Sequence, residues 1–238
     1  MKIRTREDAA RAPASALPKR RGRPLVDDKR RRILDAAIRV FSERGYHGTA
    51  MPDVAAAARV STGTLYYYFE HKEKLVNEAY RDAKLRMRST LYDQLPAPQI
   101  ESPGGAEAWF LEVWSRMGTF ERNEPEAYRF LEMQDHTGYL DPESRQLEVS
   151  VIAPLFLVGK RVHDLGGGER VDITMALMCS AFLGLVQAQR LGYLRLDETT
   201  LRTAGRIVWR LLAPEAERVV AKGTDKRGPR SRTSRRGS

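Results

Sequence analysis

Apolar side chains recur along most of this chain at spacings of three and four residues. Ile33, Leu34, Ala37, Ile38 and Phe41 fall on one face of a 3.6-residue period, with Asp27 or Asp28 placed to cap the segment and Gly45 to end it. A short second helix is expected after Thr49, a good cap, with Pro52 tolerated in the first turn and Val54, Ala55 and Ala58 facing inward. It stops near Arg59. Val60 and Ser61 then turn the chain into a third helix, Thr62 to Phe69, with Ser61 as its cap. His71 to Leu95 reads as a long fourth helix, broken by Pro96-Ala97-Pro98 and the loop Ser102-Pro103-Gly104-Gly105. The helical period resumes over Ala106 to Arg122, Glu126 to His136, Pro142 to Leu165, Asp172 to Leu191 and Asp197 to Leu212. No run alternates long enough to predict a strand, and no internal repeat is visible. The expected fold class is all-α, with an N-terminal three-helix helix-turn-helix domain and a C-terminal helical domain. The expected division is a basic arm over 1–26, the helix-turn-helix over 27–75, the second helical domain over 76–221 and a basic tail over 222–238.

Charge changes this picture by its location. The 238 residues carry a formal +10, but residues 1–32 hold 12 Lys/Arg against 4 Asp/Glu and residues 222–238 hold 7 against 1, leaving 33–221 at −4. A slightly acidic body with two basic ends suggests a polyanionic partner. Nucleic acid outranks a membrane surface, because neither end has a bulky apolar face to insert into lipid. For the C-terminal end, a solubilising tail is an equal reading. The single cysteine, Cys179, excludes an internal disulfide and a cysteine-cluster zinc site. The longest apolar stretch, Ile173 to Val186, falls short of the roughly 20 residues that span a bilayer, and the N-terminus lacks the apolar segment of a signal peptide. A cytoplasmic protein is expected.

The chemistry concentrates in residues 47–72. Two short helices across a tight turn leave the second free to project into a major groove. Gly63 lets backbone approach DNA, and Ser61, Thr62 and Thr64 offer hydroxyls to phosphates and base edges. Tyr66, Tyr67 and Tyr68 point about 100° apart on a helix, so at least one phenol must face solvent or a partner. Leu65, Phe69 and one of the tyrosines are expected to pack inward.

The run Val60-Ser61-Thr62-Gly63-Thr64-Leu65-Tyr66-Tyr67-Tyr68-Phe69, with Lys72, Glu73 and Leu75 after it and Phe41, Gly45, Tyr46, Thr49, Asp53, Val54 and Ala55 before it, resembles the DNA-binding domain of the TetR family. The resemblance covers about residues 28–75. It implies that Thr49, Tyr66, Tyr68 and Lys72 bind the phosphate backbone, and that Ser61, Thr62, Gly63, Thr64 and Tyr67 sit in the major groove. It also implies a homodimer on palindromic double-stranded DNA, repression as the default outcome, and a C-terminal ligand-binding and dimerisation domain. One position departs from the pattern: Arg59 stands where the family commonly has glycine at the end of the second helix. Either the turn is shaped differently or the arginine gains a phosphate contact. In the arm, Arg21-Gly22-Arg23-Pro24 resembles an AT-hook, which would lay Arg21 and Arg23 in a narrow A·T minor groove. The alternative is a non-specific basic tether.

For the second domain, Ala181, Gly184, Leu185 and Ala188 form one small-residue stripe that, with Val208 and Leu211, could complete a dimer interface. Packing within one subunit is nearly as good a reading. Trp109, Trp114, Met117, Tyr128, Met133, Phe156, Met178 and Phe182 are candidates to line a pocket for a mainly apolar effector, although such residues are more often plain core. Gln134 and His136 are candidate polar anchors. Enzyme fingerprints are missing: there is no Gly-x-Ser-x-Gly, P-loop or Rossmann motif, and the four histidines have no metal-ligand spacing. No catalytic residue, cofactor or metal is expected. A third class, a ligand-independent architectural or cell-division factor using the same helix-turn-helix, stays open.

Overall fold

The computed structural model describes residues 25–100, 102, 104–133, 138–166 and 171–212. Among them the chain forms α1 (Leu25–Arg44), α2 (Met51–Ala57), α3 (Thr62–Tyr68), α4 (Lys72–Tyr92), α5 (Gly105–Asn123), α6 (Pro125–Glu132), α7 (Pro142–Gly166), α8 (Val171–Arg190) and α9 (Glu198–Leu212). No strand occurs among the described residues.

The apolar stripes read from the sequence are the buried faces, and the ends are where expectation and structure part. α1 starts at Leu25, so Asp27 and Asp28 lie inside its first turn. The cap of α2 is Ala50, not Thr49: the Asp53 carboxylate accepts from the Ala50 amide at 3.4 Å, while the Thr49 hydroxyl turns back and donates to the Gly45 carbonyl at 2.7 Å. Ser61 caps α3, its Oγ accepting from the Thr64 amide at 3.1 Å. His71 caps α4 through Nδ1, which accepts from the Lys74 amide. α6 ends at Glu132, short of the expected His136, and Gln134 and His136 lie outside the described residues. α7 carries Pro154 in its interior and runs through the first of the three consecutive glycines.

The small first domain is built on Ile33, Ala37, Phe41, Val54, Leu65, Phe69, Leu75 and Val76, all fully enclosed. Its core is continuous with the larger one, since the Phe41 ring stacks on Phe130 of α6 at 6.0 Å between centroids. Farther out, α5 and α9 approach so closely that their glycines are required by contact. A Cβ on Gly118 would sit 2.2 Å from Leu201 Cδ2, and one on Gly205 would sit 2.8 Å from Trp114 Cδ1. The same crossing brings the Trp114 indole N–H within 2.9 Å of the Leu201 carbonyl, which satisfies a buried donor. Asp172–Arg190 is long and apolar enough to cross a membrane by length and composition alone, contrary to expectation. Met175, Met178, Phe182 and Val186 on this segment are spent sealing the core.

Candidate nucleic-acid interface

The turn between α2 and α3 is a complete helix stop. The Val60 amide donates to the Ala55 carbonyl at 3.0 Å and the Arg59 amide to the Ala56 carbonyl at 3.1 Å, the paired bonds that close a helix on a left-handed residue. That residue is Arg59, with φ +54°. The turn is therefore not reshaped around the arginine. The arginine accepts a conformation that costs a non-glycine residue about 1 kcal/mol.

Beyond the turn, α3 divides into two faces. Leu65 and the following Phe69 are fully buried and fix the helix on the domain, α3 packing chiefly on α2. Ser61, Thr62 and Gly63 are exposed, Thr64 is half-buried, and Tyr66 and Tyr67 are 47% and 83% exposed. Tyr68 is the tyrosine that packs inward, half-buried and edge-on to Tyr67 at 5.3 Å. Ser61 is occupied by the cap and by a 2.8 Å bond to Thr64 Oγ1, whereas Thr62 projects outward. At Gly63 an added Cβ would meet only Ser61 Oγ, at 4.0 Å. Among the described residues nothing requires a glycine there, and the missing side chain leaves the outer surface low at that point.

The flanking residues are less free than the sequence suggests. Thr49 is 3% exposed and its hydroxyl proton is committed to Gly45, so in this geometry it does not present the phosphate contact that the resemblance implies. Lys72 is half-buried with its ammonium 4.2 Å above the Tyr46 ring. Desolvation there lowers its pKa. Tyr46 in turn donates to Glu73 at 2.7 Å. Burial and that bond push the phenol up, and the bond holds the Glu73 carboxyl below its ordinary range. The Tyr46 ring also stacks on Tyr139 at 3.8 Å, from the segment between α6 and α7. Lys72 thus rests, through one aromatic pair, on the segment between α6 and α7. Arg21 and Arg23 lie outside the described residues.

Residues 33–79 match the sequence model described as bacterial regulatory proteins, tetR family. That segment takes in all of α2, α3 and the exposed face just described. That segment is a DNA-binding domain of the TetR type. Over 73 residues the chain is 37% identical to the HTH-type transcriptional repressor DhaR of Mycobacterium sp. (strain GP1), a match covering 29% of this chain and 37% of DhaR. Over 64 residues it is 42% identical to the HTH-type transcriptional repressor KstR2 of Rhodococcus jostii (strain RHA1), covering 24% and 31% of the two chains. The matches thus span about a third of these relatives' own length. In structure the likeness extends further. A TetR family transcription regulator from Marinobacter aquaeolei VT8 aligns with a TM-score of 0.65 at 21% identity, covering 77% of this chain and 94% of that one. The regulator FadR from Bacillus subtilis, solved in complex with stearoyl-CoA, aligns with a TM-score of 0.56 at 18% identity, covering 77% and 97%.

Against that TetR-like architecture, the residues expected to line a pocket disperse. Trp109, Trp114, Tyr128, Met178 and Phe182 are buried, and they pack on one another and on neighbours: Trp114 meets Phe182 edge-on at 5.2 Å, Tyr128 meets Phe182 at 5.9 Å, and Trp109 stacks on Tyr92 at 6.2 Å. Met117 is half-buried beside them. Phe156 belongs elsewhere, 42% exposed on α7. Met133 is also elsewhere, its Cε 3.4 Å from where a Cβ on Gly45 would stand, at the end of α1. A cleft of about 290 Å³ opens between α5 and α9, lined by Trp114, Leu111, Leu201, Glu112, Arg202 and Arg206 among others. It is more polar than the expected pocket. Of the expected interface, Gly184 is exposed and Ala181, Leu185 and Ala188 are half-buried. Val208 is buried within its own subunit, and the Leu211 side chain lies outside the described residues. The sequence reading missed the apolar surface on α7 and α8, where Val149, Ile152, Leu157, Ile173 and Leu177 join Phe156 in solvent. Spacing alone could not separate that second stripe from the buried one.

Proposed function

We propose that this chain is a ligand-responsive transcriptional regulator, a homodimer that represses from a palindromic operator and is released by a mainly apolar small molecule. One observation carries the DNA half of this reading: Thr62, Gly63 and Tyr67 stand in solvent on a short helix that Leu65 and Phe69 lock from behind. Such a helix presents polar groups and a phenol to base edges at no cost in core. The proposed contacts are Ser61, Thr62, Gly63, Thr64 and Tyr67 in the groove, with Tyr66, Tyr68 and Lys72 on phosphates. The exposed apolar face of α7 and α8, which extends to Gly184, is proposed as the surface where a second copy docks. The effector reading rests on the aromatic cluster of α5, α6 and α8 and on the fold's likeness to a regulator solved with stearoyl-CoA. The proposed setting is the cytoplasm.

A ligand-independent DNA-binding factor is the second reading, favoured by the way Trp114, Tyr128 and Phe182 fill the space between them. Selection of bound duplexes from a random pool tests the DNA half. A palindromic motif supports the homodimer on an operator, and no enrichment over a scrambled pool sinks it. The effector half is tested by linkage, since a ligand that weakens operator binding must itself be weakened by operator to the same factor.

The basic arm enters as a contributor in its own right. Removing residues 1–24 should flatten the dependence of log K on log salt by up to roughly 3.6 per subunit, if Lys19, Arg20, Arg21 and Arg23 each neutralise one phosphate. Arg21→Ala with Arg23→Ala should also erase a preference for A·T pairs flanking the palindrome. Equal losses on A·T-flanked and G·C-flanked duplexes would leave the arm a plain tether.

A further inference from the structure

The left-handed residue that closes α2 is an arginine, and the turn itself gives it nothing to do. Both closing hydrogen bonds are made by backbone, and the half-buried Val60 supplies the apolar contact. The same stop occurs elsewhere in this chain with glycine. At the end of α8 the Tyr193 amide donates to the Ala188 carbonyl and the Gly192 amide to the Gln189 carbonyl, with Gly192 at φ +77°. At the end of α1, Gly45 takes φ +71°. Gln94, in the loop after α4, is the other non-glycine residue in this region among the described residues. At residue 59, then, a strained side chain stands where a relaxed glycine would close the helix with the same bonds.

That side chain is exposed, and its guanidinium makes no hydrogen bond or ion pair among the described residues. Three other arginines of the first domain are paired internally: Arg30 with Glu78, Arg31 with Asp82, and Arg44 with Asp53. Arg59 is thus a free cation on the turn that opens α3, immediately before the residues proposed to enter the groove. A guanidinium presents its donors in a planar fork that fits two phosphate oxygens at once. Strain retained at such a place marks a function elsewhere than in the fold.

We infer that Arg59 is a DNA-contacting residue, a phosphate clamp at the mouth of the major groove that this chain holds at the expense of its own turn. The inference rests on the DNA-binding function proposed above. It assigns a contact to the one position where this sequence departs from the TetR-family pattern.

The test uses the full-length chain and the duplex that it selects from a random pool. Arg59→Gly should fold at least as well as the parent, with a urea midpoint equal or higher. It should also bind the duplex about tenfold more weakly, and its log K against log salt should be shallower by about 0.9 per subunit. Arg59→Lys keeps the charge and the strain, so it should keep the salt slope and the midpoint while losing part of the affinity through the missing fork. Should Arg59→Gly bind with unchanged affinity and slope, or lose affinity at an unchanged slope, the clamp is overturned while the proposed function stands. Should the parent chain enrich no duplex, the proposed function fails and takes the clamp with it.

Discussion

Replacing Tyr67 by alanine is expected to weaken operator binding by about 1–3 kcal/mol, roughly 5- to 150-fold, while leaving thermal stability within about 0.5 kcal/mol. The separation follows from where the ring sits. Tyr67 is 83% exposed, and its described ring contact is the edge of Tyr68. Very little core is lost with it. Thr62→Ala should behave alike, since Thr62 is exposed and the cap bond belongs to Ser61. Ser61→Ala makes a poorer test: removing a cap costs about 1 kcal/mol of helix stability and would confound a DNA contact with a folding defect. Titration of the selected duplex against both variants, with melting curves in parallel, decides the matter. Unchanged affinity in both would remove α3 from the major groove.

The second large effect is expected at Asn77, on the inner face of α4. Its amide nitrogen donates to the Glu73 and Tyr139 carbonyls at 2.9 and 2.8 Å, and its amide oxygen accepts from the Asp141 amide at 2.8 Å. Those bonds tie the segment before α7 onto the helix that begins at Lys72. Arg81 adds to the tie through Asp141, at 2.8 Å, while the other side of α4 is bound to α1 by the pairs of Arg31 with Asp82 and Arg86 with Asp35. Asn77→Leu keeps the bulk but leaves the Tyr139 carbonyl and the Asp141 amide, both part-buried, without that partner, at up to about 1–3 kcal/mol each. A loss of about 2–4 kcal/mol in urea-derived stability is expected. A second consequence follows if effector and operator communicate through α4: the factor by which each weakens the other should shrink toward one. A stability change below about 1 kcal/mol would show that the tie is made in some other way.

How much of this was legible beforehand can be judged from particular residues. Val54, Ala58, Leu65 and Phe69 are legible as inward residues because a short helix on a small core has only one face to bury. Ser61 was legible as a cap because the hydroxyl stands three residues before an amide that needs an acceptor. Thr49 misled for the same reason: it looks like a cap, but its hydroxyl is drawn back to Gly45, one helix end earlier, and Ala50 takes the role with Asp53. The second domain was legible as helices and opaque as a site. Nothing in the spacing of Phe156 or Met133 says which neighbour an apolar side chain will meet, and that is decided by how α6 and α7 cross the rest. Arg59 showed the limit from the other side. Its oddity was visible in the sequence, but only the dihedral angle and the two backbone bonds distinguish a strained turn from a reshaped one.

The open apolar face of α7 and α8 has a consequence for gene dosage. If two copies must close over Val149, Leu157 and Leu177 before either can grip both halves of a palindrome, the active species grows as the square of the protomer concentration below the assembly constant. Halving synthesis would then cut operator occupancy about fourfold, and doubling it would silence the target far more than in proportion. In that regime the sharpness of the switch is set at the surface of α7 and α8, some distance in the chain from any residue that touches DNA.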